Sequence, residues 1–90
     1  PSSYSLKQNY TNPFNPVTKI EYSIPENTYI RIKIYDVSGE LIGVISDKFE
    51  QAGLHFVVYY ASRLTSGVYF YTLERGDGKI LQTKRMVLVK

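Results

Sequence analysis

Side-chain chemistry in this chain would have to start from a single histidine. His55 is the only imidazole among the 90 residues, and there is no cysteine. Nucleophilic triads and metal centres need at least two such groups converging, so His55 reads as a structural residue inside a strand. The eight carboxylates are scattered through turns and outward strand positions, which leaves no pair placed for general acid/base work. Gly76-Asp77-Gly78 is not a phosphate loop, because no helix start follows it. No catalytic, metal or cofactor-binding residue is assigned, and the chain reads as a non-enzyme.

Recognition chemistry leaves more to weigh. Arg75-Gly76-Asp77 is the tripeptide that integrins read, yet Gly-Asp-Gly at a hairpin tip has a backbone reason, since positive φ is needed there. Asn9-Tyr10-Thr11 is an N-glycosylation triplet, a weak signal alone. Tyr29 and Tyr35, flanking Arg31 and Lys33, form an outward aromatic pair that could stack on a sugar. The high strand propensity of Tyr explains them without a ligand and is the favoured reading. The net charge of +3 is mild, but no acid follows Asp77 while Lys79, Lys84, Arg85 and Lys90 do. Such a basic terminal strand suits either an acidic partner or a solvated edge guarded by lysines. No basic helix or stacking-aromatic motif of a nucleic-acid binder is present, so no nucleic-acid partner is expected. No apolar run approaches the ~20 residues of a membrane helix, so no membrane insertion is expected either.

These groups must be positioned by strands. Nine Tyr, four Phe and many Ile, Val and Leu, against Ala only at 52 and 61, favour a pleated, half-buried surface over helices. Short periodic runs alternate with turn signals at roughly 8–12-residue spacing, the pattern of a sandwich or barrel. Ser5 to Tyr10 is a weak first strand, stopped by Asn12-Pro13-Phe14-Asn15-Pro16, whose prolines cannot donate to a ladder. Thr18 to Ile24 alternates, with Ile20, Tyr22 and Ile24 inward. Pro25 to Thr28 is a turn, and Tyr29 to Tyr35 points Ile30, Ile32 and Ile34 at the core. After the Asp36–Gly39 turn, Leu41 to Phe49 has an irregular pattern that predicts a bulge near Gly43. Leu54 to Tyr60 is a continuous apolar run, and Leu64 is expected to tuck inward from the following loop. Gly67 to Glu74 and Lys79 to Val89 form a terminal hairpin around Gly76-Asp77-Gly78.

That is seven strands and no helix in one domain over residues 4–90, after a linker remnant at residues 1–3. Ser66-Gly67-Val68-Tyr69-Phe70-Tyr71 sharpens the expectation. A Tyr at the start of the sixth strand, two residues before an inward position, is the tyrosine corner of immunoglobulin sandwiches. Tyr69 would be the corner and Tyr71 the core residue. The predicted fold is an all-β, immunoglobulin-like sandwich of about seven antiparallel strands, held by packing alone because it has no disulfide.

Several motifs in order also resemble one family. They are Tyr10-Thr11-Asn12-Pro13-Phe14-Asn15-Pro16, Thr18-Lys19-Ile20-Glu21-Tyr22-Ser23-Ile24-Pro25 and Ile34-Tyr35-Asp36-Val37-Ser38-Gly39. Ala52-Gly53-Leu54-His55, the Ser66–Tyr71 segment and Thr83-Lys84-Arg85-Met86-Val87-Leu88-Val89-Lys90 follow. From about Tyr4 onward the chain resembles the type A C-terminal sorting domain of the type IX secretion system, and the related immunoglobulin-like domain of flagellar hook-capping proteins. It departs from that pattern at Thr11, usually Pro, and at Tyr60, usually a small acidic or amide residue.

The resemblance implies an address label at the end of a larger exported protein. A domain of this type directs its cargo through the periplasm of a Gram-negative bacterium to the cell surface or medium. It is recognised by the outer-membrane translocon, and a sortase-like protease can then remove it. By motif position the sorting signal would comprise Gly67, Tyr69 and the run Lys84, Arg85, Met86, Val87, Leu88, Val89 and Lys90. The Asn12, Pro13, Phe14, Asn15 and Pro16 segment would shape the first loop. Alternation puts Met86 and Leu88 on one face of the last strand and Arg85, Val87 and Val89 on the other. A terminal strand of this kind can be read through its edge amides by strand addition. The alternative is an accessory module of a secreted hydrolase, either polysaccharide-binding through Tyr29 and Tyr35 or purely structural.

Overall fold

Runs rich in β-branched and aromatic residues select strands, and the computed structural model, which describes residues 1–90, contains no helix. The strands are β1 (Ser5–Leu6), β2 (Val17–Ile24), β3 (Thr28–Tyr35), β4 (Leu41–Glu50), β5 (Gly53–Tyr60), β6 (Gly67–Arg75) and β7 (Ile80–Leu88). They form a three-stranded sheet in the order β1-β2-β5 and a four-stranded sheet in the order β4-β3-β6-β7, all pairs antiparallel. The two sheets pack face to face, which is the expected immunoglobulin-like sandwich.

The core is built by the predicted parity. Ile20, Tyr22 and Ile24 of β2 meet Ile30, Ile32 and Ile34 of β3, with Tyr71 and Leu73 of β6 and Met86 and Leu88 of β7. Fully burying each large apolar side chain contributes about 1.5–3 kcal/mol, and no disulfide supplements this cluster. Leu64 packs against the same cluster from the loop before β6.

Three details differ from the pattern in the sequence, and the bulge expected near Gly43 is present. β1 ends at Leu6 rather than Tyr10. Asn9 turns inward and gives its amide to Thr11 O and Thr18 Oγ1, which leaves Tyr10 only an isolated bridge to Lys19. The irregularity in β4 is two register shifts against β3 that flank Gly43, one leaving Ile45 unmatched and the other Ile42. β5 is not buried on both faces: Leu54, Phe56, Val58 and Tyr60 are exposed, while His55, Val57 and Tyr59 are half-buried. Glu74 is buried rather than solvated, because Arg31 (3.3 Å) and Lys33 (3.1 Å) from β3 close over its carboxylate. Paired in this way, a carboxylate can lie under an outer sheet face without an uncompensated charge.

The turn at the tip of the last hairpin depends on Gly76. Its N–H bonds Tyr29 O at 2.8 Å, and a Cβ there would lie 2.9 Å from Tyr29 Cβ. Arg75 closes on Asp77 through Nε (3.1 Å) and Nη2 (2.8 Å), so both charges of the integrin-like tripeptide are satisfied within it. That bidentate guanidinium pulls the exposed Asp77 carboxyl down to about 2.

Candidate functional site

β7 is an edge strand, since the four-stranded sheet ends with it. Its parity is as expected: Met86 and Leu88 are buried, Arg85 and Val89 exposed, and Val87 half-buried between them. Lys84 shares the inward parity of Met86 and lies half-buried opposite Tyr71. Lys90 follows the strand, exposed but tied down. Its N–H bonds Ser66 Oγ at 2.9 Å and its Nζ bonds Ser62 O at 2.6 Å.

The tyrosine corner lies at the same end of the hairpin. Gly67 pairs with Leu88 and Tyr69 with Met86. The Tyr69 ring is buried and its hydroxyl donates to Thr65 O at 2.7 Å, which pins the loop before β6 to its first turn of strand. Tyr71 lies in the core and donates to Lys7 O at 2.6 Å, and burial pushes its hydroxyl up to about 12. Between this corner and the β3–β4 turn runs an open cleft bordered by Asp36, Val37, Ile42, Arg63 and Val68.

The Asn12–Pro16 segment does more than shape a loop. Phe14 drives its ring into the core and runs parallel to the end of β7. Phe14 N–H bonds Val87 O and Val89 N–H bonds Phe14 O, each at 3.0 Å. Asn12 Oδ1 accepts the Val87 N–H at 2.9 Å, and the Gln8 side chain donates to Arg85 O at 2.5 Å. The edge groups of Val87 and Val89, which strand addition would need, are therefore already taken by the chain's own first loop. The amides of Arg85 and Thr83 lie two and four residues back from Val87 and face the same edge, upstream of this cap. Further back, Gln82 replaces missing backbone pairing by bonding Leu6 N–H and Tyr4 O across the gap between the sheets.

One end of the molecule thus gathers Gly67, Tyr69, Met86, Val87, Leu88, Val89 and Lys90 with the Asn12–Pro16 segment, while Lys84 and Arg85 lie farther along the strand. Cap and terminal strand lie at opposite ends of the sequence, so spacing did not reveal their union. The available signal was Asn12 and Phe14 on either side of Pro13, an acceptor side chain and a large apolar ring that a free loop would not require.

The other candidate groups are held elsewhere. His55 Nδ1 lies 2.5 Å from Glu50 Oε2, its Nε2 lies 2.7 Å from Gln51 O, and the ring stacks on Tyr22. Both nitrogens are engaged in bracing the β4–β5 turn. No three His, Cys, Asp or Glu side chains gather as a metal site. The Arg31 guanidinium lies over the Tyr29 ring at 5.2 Å, and Tyr35 is half-buried. Asn9 of the glycosylation triplet is buried.

A family model described as the secretion system C-terminal sorting domain matches residues 8–89, from the Gln8 contact to the Val89 bond of the cap. The chain belongs to that family. No curated protein matches it. Membership makes this sandwich a C-terminal sorting signal for type IX secretion, a domain carried by an exported protein and recognised by the secretion machinery. A sorting domain of this kind is in general non-catalytic and marks its carrier for the cell surface or medium.

Proposed function

We propose that the address of this sorting domain is the composite end surface made by β7, its Asn12–Phe14 cap and the Tyr69 corner. The observation that carries this reading is the pair of bonds joining Phe14 to Val87 and Val89, which fixes the terminal strand's outward face. That face presents Arg85, Val87 and Val89 in alternation and ends at the tethered Lys90. A basic and apolar strip with no acid after Asp77 suits an acidic or apolar groove. The outer-membrane translocon would read it on a folded domain arriving in the periplasm. A sortase-like protease would then separate the domain from the N-terminal cargo domain of the same precursor.

With the edge of Val87 and Val89 occupied, recognition proceeds through the side chains of this face. Backbone strand addition there would first have to displace the cap. A polysaccharide platform at Tyr29 is disfavoured by the guanidinium lying over its ring.

The test fuses residues 1–90 to a periplasm-targeted reporter in a Gram-negative host with a type IX system. Reporter should reach the surface or medium, and should stay in the periplasm when the domain is omitted or the translocon is deleted. Equal export in the translocon-deleted host would overturn the reading.

A further inference from the structure

Sheet edges invite other chains, and folded proteins blunt them. Three of the four edges here are blunted: β1 has two residues, β7 is capped by Phe14, and β4 is broken by two register shifts and carries Asp47, Lys48 and Glu50. β5 has none of these devices. It is eight residues long, pairs with β2 in unbroken register, and contains no Lys, Arg, Asp, Glu or Pro.

Which of its backbone groups are open follows from the ladder. Ala61 N–H bonds Pro16 O, on the β2 side, so His55, Val57 and Tyr59 also face β2, and Leu54, Phe56, Val58 and Tyr60 face away. None of those four has a backbone bond outside the sheet. The same four carry the exposed apolar side chains, from Val58 at 40% to Leu54 at 75%, continued on β2 by Val17 at 38%. An open ladder and an apolar face on one strand mark a strand-pairing surface.

We propose that this edge pairs with β5 of a second copy of the chain, antiparallel, about a two-fold axis through Val57. In that register Phe56 lies opposite Val58 of the second copy, and Leu54 opposite its Tyr60. Every residue opposite an edge-facing residue is then itself edge-facing. The N–H and C=O of all four residues are satisfied on both copies, because each such pair exchanges two bonds. A slip by one residue would set the open groups against closed ones, so the register is self-selecting.

Side chains agree with the backbone. The outward face pairs aromatic with β-branched and aliphatic residues, the favourable cross-strand combinations. With no formal charge on the strand, no like charges meet across the axis. On the inner face the half-buried Val57 meets its own symmetry mate, and His55 meets Tyr59 of the second copy. The result is a continuous six-stranded sheet. One strand pair falls below about 1,200 Å² of buried surface, which is the class of reversible, concentration-dependent contacts.

The chain's lack of cysteine makes the test clean. At the axis Val57 faces its mate in a non-hydrogen-bonded pair with Cα atoms about 4.5 Å apart, within disulfide range. Leu54 is about 20 Å from its mate, six residues along the strand. Under mild oxidation Val57→Cys should form a disulfide-linked dimer, whereas the more exposed Leu54→Cys should do so at least tenfold more slowly. Sedimentation of the unsubstituted chain should show monomer giving way to dimer between about 10 μM and about 1 mM. Phe56→Lys, at an exposed position that does not threaten the fold, should remain monomeric there. Two results overturn the proposal. The first is a monomer at all concentrations with Val57→Cys no faster than Leu54→Cys, which would leave the edge to a strand from a different protein. The second is a dimer that survives Phe56→Lys, which would place self-association elsewhere on the molecule.

Discussion

Replacing Phe14 with alanine removes the anchor of the cap while leaving its backbone bonds formally possible. The ring is 2% exposed and belongs to the main core cluster, so the loss of contacts plus the cavity should cost about 3–5 kcal/mol. A 90-residue domain has roughly 5–14 kcal/mol of stability in all. The variant should therefore stay folded in the cold and melt about 12–40 °C lower, at about 4–8 °C per kcal/mol. Phe14→Leu, which keeps most of the volume, should cost less than about 1.5 kcal/mol. Chemical denaturation gives the first quantity, and amide hydrogen exchange locates it. Val87 and Val89 N–H, bonded to Asn12 Oδ1 and Phe14 O, should be protected in the parent and open early in Phe14→Ala. A loss under about 1.5 kcal/mol for Phe14→Ala, or rapid exchange of both amides in the parent, would refute the cap.

Tyr69→Phe should cost about 1 kcal/mol, the net worth of its bond to the loop, because Thr65 is exposed and its carbonyl can be rehydrated. A thermal midpoint about 4–8 °C lower would register it. Gly76→Ala should destabilise by about 1–3 kcal/mol in the same assay, since the new methyl meets Tyr29 Cβ, which cannot swing away. The Asp77 carboxyl should titrate by NMR near 2 instead of 3.8, and return toward 3.8 in Arg75→Ala. With the folded-state value depressed, its small stabilising contribution is present above about pH 4 and lost as pH falls through about 2.

The features legible in the sequence are those written in local alternation. Ile30, Ile32 and Ile34 set a period of two that only a strand satisfies, and the same rule placed Met86 and Leu88 inward and Arg85 and Val89 outward. Ser66 to Tyr71 announced the corner because its geometry is local, with the Tyr69 hydroxyl reaching back four residues to Thr65. Two features were not legible. In β5 every residue but His55 is apolar beyond Gly53, so periodicity could not separate an inward from an outward set. The cap was hidden because a bond between Asn12 and Val87 leaves no periodic trace. Lys84 shares the inward parity of Met86 despite its charge. Its long stem lets it lie half-buried on the inward side of an edge strand while the ammonium reaches water.

The most direct test of the central claim keeps the fold and changes only the outward strip of the terminal strand. Arg85→Glu, Val89→Glu and Lys90→Glu alter three exposed positions, where substitutions usually shift stability by less than about 0.5 kcal/mol each. The measurement is the fraction of reporter reaching the surface or medium when the triple variant replaces the parent domain in the fusion, with its thermal midpoint checked in parallel. A variant that melts with the parent and leaves its cargo in the periplasm is the predicted result. A variant that melts with the parent and is exported as efficiently would contradict the assignment of the address to this face.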